Sequence, residues 1–336
     1  MKKTNGIVVF SGTTHKKLAA GICKCLKVKQ GNALVSEFSE GEIKVQIREN
    51  VRGKDVFVVQ PTAPPVNKSA MELLIMIDAL KRASARRITA VIPYYGYARQ
   101  DRKDQPRVPI TAKLMANLIT TAGANRVLTI DLHAGQIQGF FDINLDHLFA
   151  VNVFVEYFKK KGLKNLVAVS PDVGGIKMAR AYAKRMHAGL AIVDKRRRND
   201  VDAEVMHILG EVKGKTVVIV DDIVATAGSL QEAVIALKKK GAKEIYAAIT
   251  HPLLCGPARE RLKNIGLKEL VVANTIPVPK EKIFSGIKVL SVAPLLADAI
   301  QRIHNEESIS ILFKSPTPKK KNKAGASDDD EYLKLG

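Results

Sequence analysis

The chain predicts an α/β architecture in two tandem domains, each with a mainly parallel sheet flanked by helices, and three observations carry that expectation. Short β-branched apolar runs alternate with amphipathic stretches along most of the length. At 336 residues the chain exceeds what one hydrophobic core usually organises. The order strand, helix, strand also leads twice into a functional-looking turn, once near residues 95–105 and again near 221–229.

The strands expected in order are residues 7–10, 55–60, 87–92, 126–131, 166–170, 216–220, 244–250 and 269–273. Their runs are apolar on both faces, the pattern of parallel strands covered on both sides. Between them, helical periodicity marks residues 69–85, 111–123, 154–162, 175–186 and 229–241. The last of these stops at Gly241, a residue suited to a helix C-terminus. A boundary near Ala150 and Val151 gives domains 1–150 and 151–313. After Phe313 the apolar periodicity stops, and residues 314–336, rich in Pro, Lys and Asp, are expected to form a disordered tail.

Hydrophobic residues make up 46% and charged residues 26%, and no apolar run is long enough to span a bilayer. The first apolar stretch is too brief for a signal-peptide core, so a cytoplasmic location is expected. Cys23, Cys25 and Cys255 are too few for a disulfide framework and lack the second pair a zinc site needs. A net charge of +21 attracts anions, whether nucleic acid, acidic membrane or phosphorylated metabolites. With 5% aromatic residues and no Trp, stacking platforms are few, which argues against nucleic acid as the main partner.

The strongest signal is TVVIVDDIVATAGSL at 216–230, an apolar strand running into Asp221 and Asp222, then a small-residue loop and a helix. Ligands of open α/β sheets bind at this edge of the strands. In the loop Ala225, Thr226, Ala227, Gly228 and Ser229, small side chains admit an anion close to the backbone. Helix N-terminal amides and the Thr226 and Ser229 hydroxyls can donate to phosphate oxygens. The two carboxylates can accept hydrogen bonds from neighbouring sugar hydroxyls, so the segment reads as a clamp for a pentose phosphate. The simpler alternative is a Ser-capped helix after a strand, but two acids leaving a buried strand ask for a partner.

These residues resemble the phosphoribosyl pyrophosphate motif of type I phosphoribosyltransferases and, more closely, the ribose-phosphate pyrophosphokinase family. The likeness extends through Phe10-Ser11-Gly12, Phe38-Ser39-Glu40-Gly41-Glu42, Tyr97 to Arg102, DLHAGQIQGFFD at 131–142, Asp194 to Arg197, and IHNEESIS at 303–310. It covers about residues 6–313. It implies two phosphoribosyltransferase-like domains, ATP on the N-terminal side and ribose 5-phosphate on the C-terminal side, with magnesium as cofactor. It also implies a homo-oligomer, a hexamer built from dimers. Where the family usually carries a third acid in the loop this chain has Ala225, and Ser229 replaces the commoner threonine.

The strand pattern over 127–131 continues to Leu132 and His133, so Asp131 and His133, two residues apart, share one face where they can meet a metal. By resemblance His133 meets the magnesium carried by ATP, and Asp172, in SPDVGG at 170–175, is a second metal contact near the ribose. Magnesium prefers oxygen and keeps waters, so the His contact is weak or water-mediated. Arg99 and Gln100, in a charged loop after Tyr97, by resemblance hold ATP, with the guanidinium suited to forked contacts with phosphate oxygens. Glu40, Gly41 and Glu42 by resemblance approach the adenine of a neighbouring subunit. The cationic run from Lys195 to Arg198 is by itself a solvated face or a nucleic-acid patch. By resemblance it is a mobile catalytic loop in which Lys195 and Arg197 neutralise charge on the transferred diphosphate and exclude water. Gly210 to Thr216 looks like a Walker A loop but is one residue short and precedes a strand, so it reads as a turn.

Overall fold

The computed structural model describes residues 6–196 and 205–313. The described residues form two compact units, one drawn from Met1–Asn152 and Ala293–Gly336, the other from Val153–Val292.

The first unit starts with β1 (Ile7–Ser11) and α1 (Lys16–Leu26), then the hairpin β2 (Ala33–Glu37) and β3 (Ile43–Ile47). There follow β4 (Asp55–Val59), α2 (Val66–Arg82), β5 (Arg87–Ile92), α3 (Thr111–Ala122), β6 (Arg126–Ile130) and β7 (Asn144–Leu148). The main sheet has the order β1-β4-β5-β6-β7, and all its pairings are parallel. All five residues of β4 are buried, as its unbroken apolar run requires. In α2, Ala70, Leu73, Ile77 and Leu80 recur at helical spacing and pack with Phe10, Val56 and Val58 in the core.

Glu72, in the same helix, is only 1% exposed. Its carboxylate accepts from the Thr13 hydroxyl and the Gln60 amide, each at 2.7 Å, so this buried charge is satisfied and the turn after β1 is fixed. Gly12 leaves the space for this arrangement, because a Cβ there would lie 2.3 Å from Gln60 Oε1.

The second unit begins with α4 (Val151–Lys161), whose first two residues still belong to the first unit. It continues with β8 (Leu166–Ser170), α5 (Ile176–Met186), β9 (Gly189–Arg196), β10 (Val205–Leu209), β11 (Thr216–Val224) and α6 (Gly228–Lys239). It ends with β12 (Glu244–Pro252), α7 (Ala258–Asn264), β13 (Glu269–Ala273) and β14 (Ile287–Leu290). Its sheet has the order β10-β9-β8-β11-β12-β13-β14, parallel except where β10 runs against β9. Val217 and Ile219 of β11 meet Val234 and Leu237 of α6 in the core. Both units thus have the expected α/β class.

The expected division at 1–150 and 151–313 needs correction at its far end. The last helix, α8 (Ala293–His304), returns to the first unit and packs on α1, where Gly21 admits it: a Cβ on Gly21 would be 3.1 Å from that of Ala293. The expected tail, 314–336, lies outside the described residues. The cysteines Cys23, Cys25 and Cys255 are free thiols. Among the described residues no helix is long and apolar enough to cross a membrane.

Candidate active site

In the second unit β11 runs further than its sequence pattern indicated, because Asp221, Asp222, Ile223 and Val224 continue the strand. Its pairing with β8 stops at Ile219, whereas β12 accompanies it to Val224. Among the described residues the far end of β11 therefore pairs with a strand on one side only. Asp221 and Asp222 sit at this step in the sheet.

Burial pushes the Asp221 carboxyl well above the usual aspartate range, and the charges of Asp222 and Asp172 add to the effect. The Asp222 amide donates to Asp221 Oδ1 at 2.9 Å. Asp172 follows β8 and is exposed. Its Oδ1 accepts from the Gly175 amide at 3.0 Å, and its carbonyl accepts from the Ser170 hydroxyl at 2.6 Å. Asp221 thus senses two further carboxylates of its unit, an arrangement that favours cationic or hydroxyl-bearing ligands.

After β11 the chain turns through Ala225, Thr226 and Ala227 into α6. Ala227 precedes the helix at φ 63° and ψ 14° and supplies no side-chain cap. The first-turn amides, of Gly228, Ser229 and Leu230, consequently have no side-chain cap to accept from them and suit an outside anion. Thr226 and Ser229 are exposed, while Ala227 is buried. The turn is fastened from behind by residues the sequence pattern did not single out: the Cys255 amide donates to Ala225 O at 2.8 Å, and Arg261 Nη1 to Thr226 O at 3.0 Å. No local signal could have found them, since they lie about thirty residues downstream.

Lys195 is the penultimate residue of strand β9, where its backbone pairs with Met206, and so lies in a strand and not in the loop expected. Arg197 lies outside the described residues. The Walker-like segment 210–215 is a turn entering β11 at the end opposite Asp221, with the Gly214 amide on Gly241 O at 2.8 Å.

In the first unit, Arg99 and Gln100 project from a turn whose base is buried. The Tyr95 hydroxyl donates to Ala112 O at 2.9 Å and the Gly96 amide to Thr62 Oγ1 at 2.6 Å. The Gln100 amide donates to Tyr97 O at 2.9 Å, leaving both side chains outside. Glu40, Gly41 and Glu42 form the exposed tip of the β2–β3 hairpin, with Gly41 at φ 94°. The hairpin closes through the Phe38 amide on Glu42 O at 2.8 Å. Gly41 and Glu42 also line a pocket of about 510 Å³ with Ile43, Lys68 and Met71.

Asp131 and His133 do not share a face as expected. β6 stops at Ile130, and Asp131 takes φ 41°, which breaks the two-residue alternation. Asp131 is 4% exposed and its Oδ2 accepts from the Ala150 amide at 3.2 Å, whereas His133 is exposed.

Oxygen donors and local negative potential in the second unit fit magnesium, which prefers oxygen and retains waters. Among the described residues no three His, Cys, Asp or Glu side chains form a ready metal cluster.

An acid pair at the open end of a parallel strand, followed by an uncapped helix start, defines the ligand-binding edge of an α/β protein, suited to a hydroxyl-bearing phosphate. Comparison with known proteins refines this class. The N-terminal domain of ribose phosphate pyrophosphokinase matches residues 7–123, and the phosphoribosyl synthetase-associated domain matches residues 201–314. A ribose-phosphate pyrophosphokinase of Halalkalibacterium halodurans is 56% identical over 305 residues, 91% of this chain and 96% of that one. That of Bacillus subtilis is 54% identical over the same coverage of both chains. The crystal structure of phosphoribosylpyrophosphate synthetase from Mycobacterium smegmatis has a TM-score of 0.85 at 42% identity, covering 90% of this chain and 100% of that one. The chain belongs to the ribose-phosphate pyrophosphokinase family.

Proposed function

We propose that the chain carries out this family's reaction with the residues described above. It transfers the diphosphate of ATP to the anomeric hydroxyl of ribose 5-phosphate, giving phosphoribosyl pyrophosphate and AMP for nucleotide biosynthesis. The observation that carries the residue assignment is the uncapped start of α6 beside the Asp221 and Asp222 carboxylates. In this reading Asp221 and Asp222 accept from the ribose hydroxyls, and the amides and hydroxyls of the 225–229 loop hold the 5-phosphate. Arg99 and Gln100 hold ATP, and the Glu40–Glu42 tip serves the adenine site of a neighbouring copy in a homo-oligomer, a hexamer by family likeness. Lys195 and Arg197 neutralise charge developing on the transferred diphosphate, and positioning supplies the rest of the acceleration.

His133 would contact the magnesium carried by ATP and Asp172 a magnesium near the ribose, each directly or through water, and Asp131 supports the backbone that presents His133. When bound, magnesium neutralises and orients phosphate oxygens. The cytoplasm, where ATP and sugar phosphates meet, is the proposed location.

The test is mass spectrometry of products from ATP and ribose 5-phosphate with magnesium. Wild type is expected to yield AMP and phosphoribosyl pyrophosphate, and Lys195→Ala to lower kcat about a thousandfold. Diphosphate release that depends on an added nucleobase would instead indicate a base phosphoribosyltransferase. No turnover by the pure protein would indicate a noncatalytic partner subunit, and full turnover by Lys195→Ala would remove that residue from the mechanism.

A further inference from the structure

Three successive carbonyls leading into α6 are each held by the segment that follows β12. Val224 O accepts from the Leu254 amide at 3.1 Å, Ala225 O from the Cys255 amide at 2.8 Å, and Thr226 O from Arg261 Nη1 at 3.0 Å. In a planar trans peptide the N–H points away from the carbonyl of the same unit. Fastening these oxygens behind the turn therefore aims the amides of Ala225, Thr226 and Ala227 to its front. The first two fastenings come from backbone, and only the third from a side chain.

That third contact acts where the backbone most needs support. Ala227 is in the left-handed region at φ 63°, where a residue bearing a Cβ is strained. Arg261 projects from α7, and its Nη1 would lie 3.5 Å from a Cβ built on Gly228, so the guanidinium runs along the turn.

We propose that Arg261 is a positioning residue for the sugar phosphate: by holding Thr226 O it keeps the Ala227 amide directed at the phosphate oxygens. The role needs no contact between Arg261 and the substrate. It rests on the reading of residues 225–229 as the ribose 5-phosphate cradle.

The test is steady-state kinetics of the full chain with magnesium and ATP, comparing Arg261→Ala, Arg261→Lys and Ser229→Asp. Arg261→Ala is expected to raise KM for ribose 5-phosphate about tenfold, the scale of one lost charge-assisted hydrogen bond, with KM for ATP and kcat within about twofold of wild type. Arg261→Lys, which keeps a cationic donor for the same carbonyl, is expected to recover part of the loss. Ser229→Asp places an acid on a helix first turn, where it is well tolerated for folding, yet it repels phosphate. If Ser229→Asp leaves KM for ribose 5-phosphate unchanged, the cradle reading fails. If Ser229→Asp raises it and Arg261→Ala does not, the positioning role alone fails. Equal damage to both KM values and kcat, or a lysine variant no better than alanine, would also overturn that role.

Discussion

Arg87 Nε donates to Asp55 Oδ1 at 2.9 Å, joining the starts of the neighbouring strands β5 and β4. The other oxygen of this carboxylate lies 2.8 Å from His304 Nδ1, and Arg87 Nη2 donates to Ile303 O at 2.9 Å. One carboxylate, 6% exposed, therefore ties the end of α8 to the sheet. Burial makes the loss of one partner costly, because the remaining charge keeps its desolvation penalty.

Asp55→Ala is therefore expected to destabilise the first unit by about 2–3 kcal/mol, discounted for the partial exposure of Arg87. Urea denaturation followed by circular dichroism measures this. A midpoint equal to wild type would contradict the assignment.

Asp221 gives a prediction of opposite sign. Its carboxyl is raised above the ordinary range by burial and by Asp222 and Asp172. The folded state thus favours the protonated form, so its stabilising contribution is complete below the ordinary aspartate range and is lost as pH rises through the raised value. In metal-free, ligand-free protein, Asp221→Asn is expected to raise Tm by a few degrees at neutral pH and to flatten its decline with pH. The same variant is expected to bind ribose 5-phosphate more weakly. A lower Tm at neutral pH would remove the like-charge argument.

Ala225→Asp restores an acid to a half-buried loop position that already has two carboxylates nearby. The sugar oxygen attacks phosphorus, so no carboxylate is required at this position, and kcat is expected to stay within about threefold of wild type. KM for ribose 5-phosphate is expected to rise modestly through added repulsion. A gain or loss of kcat beyond about tenfold would give the position a chemical role.

Buried strands such as β4, β8 and β13 were legible because their apolar runs are short and bounded. The site loop was legible for a related reason: two acids and five small or hydroxylated residues cannot continue a buried strand without a purpose. Local pattern failed where distant contacts decide. β11 extends to Val224 because β12 accompanies it, and α8 joins the first unit because α1 and Asp55 receive it. The Asp131 and His133 alternation failed at a single left-handed residue. Cys255 and Arg261 had no local signature, since their contacts exist only once the segment that follows β12 lies against the turn.

The most direct test is a crystal structure of the enzyme with ribose 5-phosphate bound. The 5-phosphate is expected within hydrogen-bond distance of the amides of residues 226–229, with ribose hydroxyls donating to Asp221 and Asp222. Density for the sugar phosphate elsewhere, with this turn unliganded, would contradict the assignment and the mechanism built on it.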